Sequence, residues 1–457
     1  MAVRRLVQHQ LPGGVPRGDL LLQRLARRHP WGDTRPDYSR AEVRRFILDN
    51  TRYWIQEFHV DGLRWDATLY IRQKDGTDLM DGWNLLKEMN TTFDTEHPAV
   101  FMIAEDLQNY GEITAPVTSN PPWSMGFDSQ WHARFVHTLR AAIKPADDNT
   151  RSMTSVRDAI VPSYQNTATH QVIYTESHDE DANGKQRVPS EIDSADPDSY
   201  WARKRSTLGA AVLFTACGVP MIFMGQEYLM DGWWADTDGS GGSYDGRINW
   251  AYKAAYAGIF TLYQDMIRLR KAHPGLRASN INVFRVDDTQ KVLCWHRWNA
   301  GGGADDAVVI ANFRNESRSA YRVGLPFAGR WVCVFHGDSR RYSADFQDAE
   351  GHYVTADAQP QDGLGYSANV VMSPYSVQVY VPESAWKPYL PYGDMNLDGV
   401  VDAQDMVLLA GWYAANGTCA PDARWMDLDE DGKSDLADLA VLALYLDGTL
   451  PGLPLRP

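Results

Sequence analysis

One local pattern recurs along the first half of the chain: a short apolar strand, acidic or polar residues where it ends, then residues with helical spacing. The copies lie at 61–66, 99–106, 172–179 and 220–227, with a weaker one at 126–128. Strands that alternate with helices indicate βαβ units and a parallel sheet. Polar residues at successive strand ends are typical of a (β/α)8 barrel whose active site lies at the carboxyl ends of its strands.

The number of these units limits the barrel. About five strand–helix units lie between residues 58 and 275, whereas a complete barrel has about eight. We therefore expect an α/β fold in which residues 30–280 form an incomplete TIM barrel. Short alternating segments predict an all-β domain over residues 281–385, and a Pro-containing linker, 386–393, leads to a different C-terminal segment.

Charge and hydropathy exclude some partners. The net charge is −15, and binding to nucleic acid requires a basic face, so we expect no nucleic-acid partner. No apolar run is long enough to span a membrane. The chain has 16 Trp and 22 Tyr; most are expected in cores, but flat aromatic surfaces also suit sugar rings.

Three carboxyl groups at strand ends form a candidate catalytic site. Side chains alternate across a strand, so Arg64 and Asp66 share a face, and the guanidinium can keep the carboxylate ionised for nucleophilic attack. Glu105 follows an apolar strand, where burial raises the pKa as a general acid requires. Asp179, beside His178, can stabilise positive charge on a sugar ring. Each feature alone also fits a helix cap or a structural ion pair; their joint order favours catalysis.

These residues lie in motifs that resemble glycoside hydrolase family 13, the α-amylase superfamily. The matching segments are DGLRWDA (61–67), IAED (103–106), ESHDE (176–180) and GVPMIFMGQE (218–227). PWGDTRPDY (30–38) is similar to 1,4-α-glucan branching enzymes in particular, and the resemblance extends to about residue 380.

The resemblance implies a retaining two-step mechanism on α-1,4-linked glucans such as starch and glycogen. Asp66 is then the nucleophile, Glu105 the acid/base and Asp179 the transition-state stabiliser. Arg64 and His178 would bind the sugar under attack. The β domain is similar to the C-terminal domain that these enzymes carry.

The segment before residue 30 departs from that family. The sequence lacks the earlier strands and the earlier motif with an Asp and an Asn-His pair. Relatives read GIYFYNDWR shortly before the 30–38 motif, whereas this chain reads GDLLLQRLA (18–26). One nucleotide string encodes most of both readings in frames shifted by one base. We therefore expect residues 1–29 to be an atypical, out-of-frame N-terminus, with a divergent N-terminus as the alternative.

Two acidic loops near the C-terminus match the EF-hand calcium loop. They are DMNLDGVVDAQD (394–405) and DLDEDGKSDLAD (427–438). Hard Ca²⁺ takes six to eight oxygens, and Gly at the sixth position permits the sharp turn. We expect two Ca²⁺ ions and no organic cofactor. The predicted ligands are Asp394, Asn396, Asp398, the Val400 carbonyl, Asp402 and Asp405, then Asp427, Asp429, Asp431, the Lys433 carbonyl, Asp435 and Asp438.

The duplicated loops, each followed by an apolar helix, resemble a type I dockerin over residues 394–450. That resemblance implies a cohesin-type scaffold partner and an extracellular or cell-surface location, with a cytoplasmic location as the alternative. The recognition positions hold Ala403-Gln404 and Leu436-Ala437 rather than hydroxyl pairs. Calcium binding is therefore more strongly indicated than cohesin binding.

Three functions follow from these features. The first is a branching-type enzyme that acts on α-glucans. The second is a secreted hydrolase of α-amylase type, because a dockerin suits degradation better than synthesis. The third is an inactive fragment that serves only as a calcium-dependent binding protein.

Overall fold

A computed structural model of the chain describes residues 29–30, 32, 34–117, 124–234, 248–347, 353–385, 401–416, 428 and 436–450. Within these ranges the first half of the chain alternates helices with parallel strands. The second half is mainly antiparallel sheet, and two helices follow near the C-terminus. The predicted parallel α/β region followed by an all-β domain is therefore confirmed.

The parallel sheet carries the candidate site. Its strands are β1 (Gly62–Trp65), β2 (Phe101–Ala104), β3 (Ser129–Trp131), β4 (Gln171–Ile173) and β5 (Val219–Pro220). In the described residues the sheet has five strands in the order β1-β2-β3-β4-β5, and each neighbouring pair is parallel. Sequential parallel strands bring all the carboxyl ends to one edge, which is consistent with part of a TIM barrel.

Helices connect and flank these strands. They are α1 (Ala41–Phe58), α2 (Thr68–Arg72), α3 (Met80–Glu96), α4 (Ala133–Ile143), α5 (Met153–Ile160), α6 (Val188–Ile192), α7 (Tyr200–Thr215), α8 (Ala251–Ala255), α9 (Ala257–Ala272) and α10 (Pro274–Arg277). The largest apolar core lies among α4, α5, α7 and α9, and it continues into the facing side of the β domain.

A glycine fixes the packing of α3 against α2. Gly82 lies in the first turn of α3, beside the backbone of Ile71. A Cβ atom at this position would lie 1.9 Å from the Ile71 carbonyl oxygen. Glycine therefore allows a backbone contact that any larger residue would push apart.

The β domain is built from two antiparallel sheets. Its strands are β6 (Asn280–Asp287), β7 (Val292–Trp298), β8 (Ala307–Asn312), β9 (Arg318–Leu325), β10 (Gly329–His336), β11 (Tyr353–Ala356), β12 (Tyr366–Met372) and β13 (Ser376–Pro382). The larger sheet has the order β11-β10-β13-β8-β7-β6, and β9 pairs with β12. Trp331 and Tyr380 are buried between the sheets, whereas Trp295 faces the α/β region.

A buried ion pair joins the two domains. The ammonium of Lys204, on α7, donates to the Asp338 carboxylate after β10, and both side chains are fully buried. The ammonium also lies 4.5 Å from the ring centre of Phe346. Burial lowers the pKa of Lys204, and the Asp338 charge opposes that effect.

Removing one member of this pair should destabilise the protein. We expect Lys204→Met to lower the free energy of unfolding by about 3–5 kcal/mol, because it leaves the Asp338 carboxylate buried and uncompensated. The adjacent Arg203→Met is the matched control. It breaks a partly exposed pair with Asp345 and should cost about 1 kcal/mol. Urea unfolding of both variants measures the difference, and equal losses would contradict the assignment.

The two C-terminal helices are α11 (Ala403–Asn416) and α12 (Leu436–Leu446). Leu409, Leu428, Val441 and Leu442 form a small buried cluster between them. In each repeat the helix begins at the tenth position of the predicted calcium loop. The two repeats therefore begin their helices at the same position of the loop.

None of the helices in the described ranges combines the length and the hydropathy that crossing a membrane requires.

Candidate active site

The register of the parallel sheet places two of the predicted carboxyl groups side by side. Trp65 of β1 pairs with Ala104 of β2, so Asp66 and Glu105 leave their strands at the same level. The Glu105 backbone N–H donates to the Trp65 carbonyl at 2.9 Å. Ala67 has φ 50°, and this turn aims its N–H at Glu105 Oε2, 2.7 Å away. The two carboxyl groups that the sequence pattern places at strand ends, Asp66 and Glu105, therefore lie close together in the structure.

Arg64 links both carboxyl groups. Its Nη1 donates to Asp66 Oδ1 at 2.9 Å, and its Nη2 lies 2.9 Å from Glu105 Oε2. The guanidinium carbon also lies 4.1 Å from the ring centre of Trp131. A guanidinium held between an aromatic face and two carboxyl groups has little freedom to turn. Arg64 thus fixes the relative position of Asp66 and Glu105.

The two carboxyl groups have different environments. Glu105 is 7% exposed, and burial raises its pKa to about 7. Arg64 and the Ala67 N–H oppose this rise, while the charges of Asp66 and Asp179 add to it. The Asp66 side chain is 57% exposed. A buried carboxyl with a raised pKa beside an exposed carboxylate is the division expected between an acid/base and a nucleophile.

Asp179 and His178 reach the same edge from the loop after β4. His178 Nε2 lies 3.3 Å from Asp179 Oδ2, and both side chains are about two-fifths exposed. The His178 and Trp131 rings form a T-shaped contact with ring centres 6.1 Å apart. Because Trp131 contacts both Arg64 and His178, the structure brings all five predicted residues of this site together. Their catalytic roles stay predictions.

Trp131 is the member of the site that the sequence pattern missed. The pattern placed an acidic strand end at Asp128, but β3 begins after it, at Ser129. Asp128 Oδ2 instead accepts the Met102 N–H at 2.7 Å. It therefore hydrogen-bonds a backbone group of β2 at the point where the chain enters β3. The side chain at the carboxyl end is Trp131, between Arg64 and Tyr174. The available signal in the sequence was the tryptophan at the end of the run Ser129–Trp131, two residues before α4 begins.

Asp106, next to the candidate acid, has a structural role. Its carboxylate accepts from Arg72 Nε at 2.8 Å and Nη2 at 2.6 Å, and from the Thr68 hydroxyl at 3.2 Å. The Asp106 and Arg72 side chains are almost fully buried. This pair ties the short helix after β1 to the loop after β2, and so supports the positions of Asp66 and Glu105.

The predicted calcium ligands are described only in part. Asp394, Asn396, Asp398, Val400, Asp427, Asp429, Asp431, Lys433 and Asp435 lie outside the described residues. Asp402, Asp405 and Asp438 lie inside them. Across the described ranges no group of three or more His, Cys, Asp or Glu side chains is arranged to hold a metal ion. The two calcium ions therefore stay a prediction.

Two of the described ligand positions, Asp405 and Asp438, hydrogen-bond within their own repeats. Asp405 and Asp438 occupy the twelfth position of their loops, and both are buried in the first turn of the following helix. Asp405 Oδ2 accepts the Asp402 N–H at 2.8 Å, and Asp438 Oδ1 accepts the Leu428 N–H at 2.5 Å.

Comparison with known proteins identifies both large domains. Residues 34–249 match the family description "Alpha amylase, catalytic domain", and residues 284–383 match "Alpha amylase, C-terminal all-beta domain". The chain carries the catalytic and C-terminal domains of the α-amylase family. Asp66, Glu105 and Asp179 all lie inside the matched α-amylase catalytic region.

Curated relatives of these α-amylase domains are 1,4-α-glucan branching enzymes. The protein from Corynebacterium diphtheriae is 26% identical over 384 residues, which are 77% of this chain and 48% of the relative. The one from Myxococcus xanthus is 28% identical over 385 residues, again 77% of this chain and 48% of the relative. The chain thus spans about half the length of these relatives.

Solved structures agree on the α-amylase fold. An α-amylase from Geobacillus thermoleovorans complexed with acarbose aligns with a TM-score of 0.54 and 18% identity, over 76% of this chain and 65% of that one. A pullulanase from Anoxybacillus complexed with maltotetraose aligns with a TM-score of 0.54 and 16% identity, over 76% and 47%. At these identities the likeness shows the fold.

Proposed function

We propose that this chain is a retaining glycoside hydrolase or transglycosidase that acts on α-1,4-linked glucans. The observation that carries the proposal is the Arg64 guanidinium, which joins the exposed Asp66 carboxylate to the buried Glu105 carboxyl. Retaining enzymes need two carboxyl groups close together, one ionised and one able to hold a proton. Here burial raises the pKa of Glu105, which lets it hold a proton, whereas Arg64 and the Ala67 N–H oppose that rise.

The proposed reaction has two steps. Glu105 first gives its proton to the glycosidic oxygen while Asp66 Oδ attacks the anomeric carbon, so the leaving chain departs as an alcohol and a glycosyl ester forms on Asp66. Glu105, now ionised, then takes a proton from water or from a sugar hydroxyl, whose oxygen displaces Asp66 from the anomeric carbon. Asp179 stabilises the positive charge of the ring in both transition states, and His178 donates to a ring hydroxyl.

Two acceptors define two activities for the same ester. A sugar hydroxyl gives branching, which the names of the curated relatives favour. Water gives hydrolysis, which the 57% exposure of the Asp66 side chain favours. We place branching first and α-amylase-type hydrolysis second.

Incubation with amylose tests the proposal. Loss of iodine colour with a spectral shift and few new reducing ends indicates branching. New reducing ends in proportion to the lost colour indicate hydrolysis. If the folded full chain leaves amylose and glycogen unchanged, the enzyme proposal fails and a calcium-dependent binding protein becomes the better account.

We further propose that the C-terminal repeats are a dockerin-like calcium module, which would place the protein outside the cell or at its surface on a cohesin-type scaffold. Support comes from the matched helix starts and from the buried Asp405 and Asp438 carboxylates. The six oxygen positions of each loop would hold one ion, and the ion would tie the loop to its helix.

Each loop should lose its ion independently. We expect Asp405→Asn and Asp438→Asn each to remove one bound Ca²⁺ per chain in equilibrium dialysis, because the twelfth position supplies carboxylate oxygens that an amide replaces poorly. Asp447→Asn, at an exposed position after α12, is the matched control and should leave the stoichiometry unchanged. Unchanged binding in both loop variants would refute the module.

A further inference from the structure

The loop that presents His178 and Asp179 has little regular structure of its own. It runs from Thr175, just after β4, to Arg187, at the start of α6. Both functional side chains are partly exposed. Before a sugar binds, only contacts within the protein can hold them in position. Something beneath the loop must hold it in one conformation.

That support is a buried charged cluster, which we call the loop anchor. It consists of Arg140 on α4, Glu176 and Asp181 in the loop, Arg187 at its end, and Glu191 on α6. Glu176, Asp181 and Arg187 are fully buried. Burying so many ionisable groups costs free energy unless each finds a partner.

Arg140 contacts three separate points of the loop. Its Nη1 donates to the Thr175 carbonyl at 2.9 Å and to Asp181 Oδ1 at 3.2 Å. Its Nη2 donates to the Gln186 carbonyl at 2.6 Å and to Glu191 Oε2 at 2.6 Å. One rigid guanidinium therefore binds the loop before His178, two residues after Asp179, and near the loop's end.

Glu176, Arg187 and Asp181 make further contacts within the anchor and around it. Arg187 Nη1 donates to Glu176 Oε2 at 3.2 Å, and Glu176 Oε1 accepts the Val188 N–H at 2.7 Å. The Asp181 carbonyl accepts the Trp234 N–H at 2.6 Å. These bonds join the two ends of the loop, whereas Arg140 binds its start, its middle and its end through one side chain.

We propose that Arg140 is a positioning residue, which sets the placement of His178 and Asp179 by clamping the loop 175–186 from below. This inference rests on the proposed function, because its effect on rate presupposes turnover of a glucan. Arg140 itself lies beneath the loop, 4% exposed, and acts through the backbone and through Asp181.

The test compares Arg140→Gln, Arg140→Lys and a matched control. Arg205 is also buried and also donates to backbone carbonyls, those of Ile143, Lys144 and Pro145. These carbonyls lie at the far end of α4 and just beyond it, and they do not belong to the loop. Arg205→Gln therefore reproduces the loss of a buried guanidinium without releasing His178 or Asp179.

Two readouts separate positioning from general stability. In Arg140→Gln, amide hydrogen exchange within residues 175–187 should accelerate roughly tenfold or more, because the loop opens locally. The kcat on amylose should fall about 100-fold with little change in KM, since misplacement by about an ångström has that effect. Arg140→Lys keeps the positive charge but lacks the forked guanidinium. It should restore part of the protection from exchange and part of the kcat. Arg205→Gln should change neither, even where its melting temperature falls equally.

Each result bears on the inference. Wild-type exchange and wild-type kcat in Arg140→Gln overturn it, and so does an equal loss of kcat in Arg205→Gln. If wild-type protein has no activity on glucans, the proposed function fails, whereas the exchange experiment still decides whether Arg140 clamps the loop. If wild-type protein is active and only the exchange is unchanged in Arg140→Gln, the clamp fails and the proposed function stands.

Discussion

Asp66→Asn should reduce turnover of amylose on the order of 10⁴-fold or more, the scale seen when a nucleophile is removed from a group of residues that act together. The amide cannot form the glycosyl ester, although it keeps the size of the carboxylate and can still accept from Arg64. Asp66 is largely exposed, so the variant should fold normally. Its melting temperature should stay within a few degrees of the wild-type value, because exposed substitutions have small effects.

The control for this variant is Asp75→Asn. Asp75 lies in the turn of a short hairpin, with its side chain 88% exposed, and it should keep wild-type kcat. Mass spectrometry of wild-type protein quenched during turnover should find a glycosyl adduct on the peptide that contains Asp66. Activity retained in Asp66→Asn, or an adduct on another peptide, would require a different nucleophile.

Glu105 should set the alkaline limit of activity. The first step needs its protonated form, so kcat/KM should fall as pH rises through the pKa of about 7. Glu105→Gln should lose about 10²–10⁴-fold in kcat/KM on amylose, the range for general acid–base catalysis. That variant should also lose the alkaline limb of the pH profile, because the amide does not titrate.

An activated substrate separates the role of Glu105 as the acid of the first step from its role as the base of the second. An aryl glucoside whose leaving group departs without a proton should react with Glu105→Gln at a much smaller deficit in the first step. Glu42→Gln, at an exposed position in the first turn of α1, is the matched control and should keep the wild-type profile. An alkaline limb that persists in Glu105→Gln would assign that limb to another group.

The sequence was informative where function depends on local order along a strand. Arg64 and Asp66 share a face because side chains alternate, and Asp66 and Glu105 meet because parallel strands end together. The same reasoning misplaced Asp128, because a carboxylate before a strand can accept a backbone N–H from the neighbouring strand. The pattern of apolar and acidic residues does not distinguish these two ends.

Contacts between distant segments could not be predicted in this way. Arg140 reaches Thr175, Gln186 and Glu191, which lie 35–51 residues further along the chain. Lys204 and Asp338 are 134 residues apart. Neither pairing leaves a pattern in the local sequence, since the first depends on how α4 packs and the second on how α7 packs.

The shared guanidinium of Arg64 has a further consequence for the proposed cycle. The negative charge of Asp66 raises the pKa of Glu105, and that charge disappears when Asp66 becomes an ester. Arg64 then has only Glu105 to neutralise, so the pKa of Glu105 must fall at the moment when a base is needed. Formation of the ester on Asp66 thus lowers the proton affinity of the neighbouring Glu105 carboxyl group. When the ester breaks, the Asp66 charge returns and again favours the protonated form of Glu105.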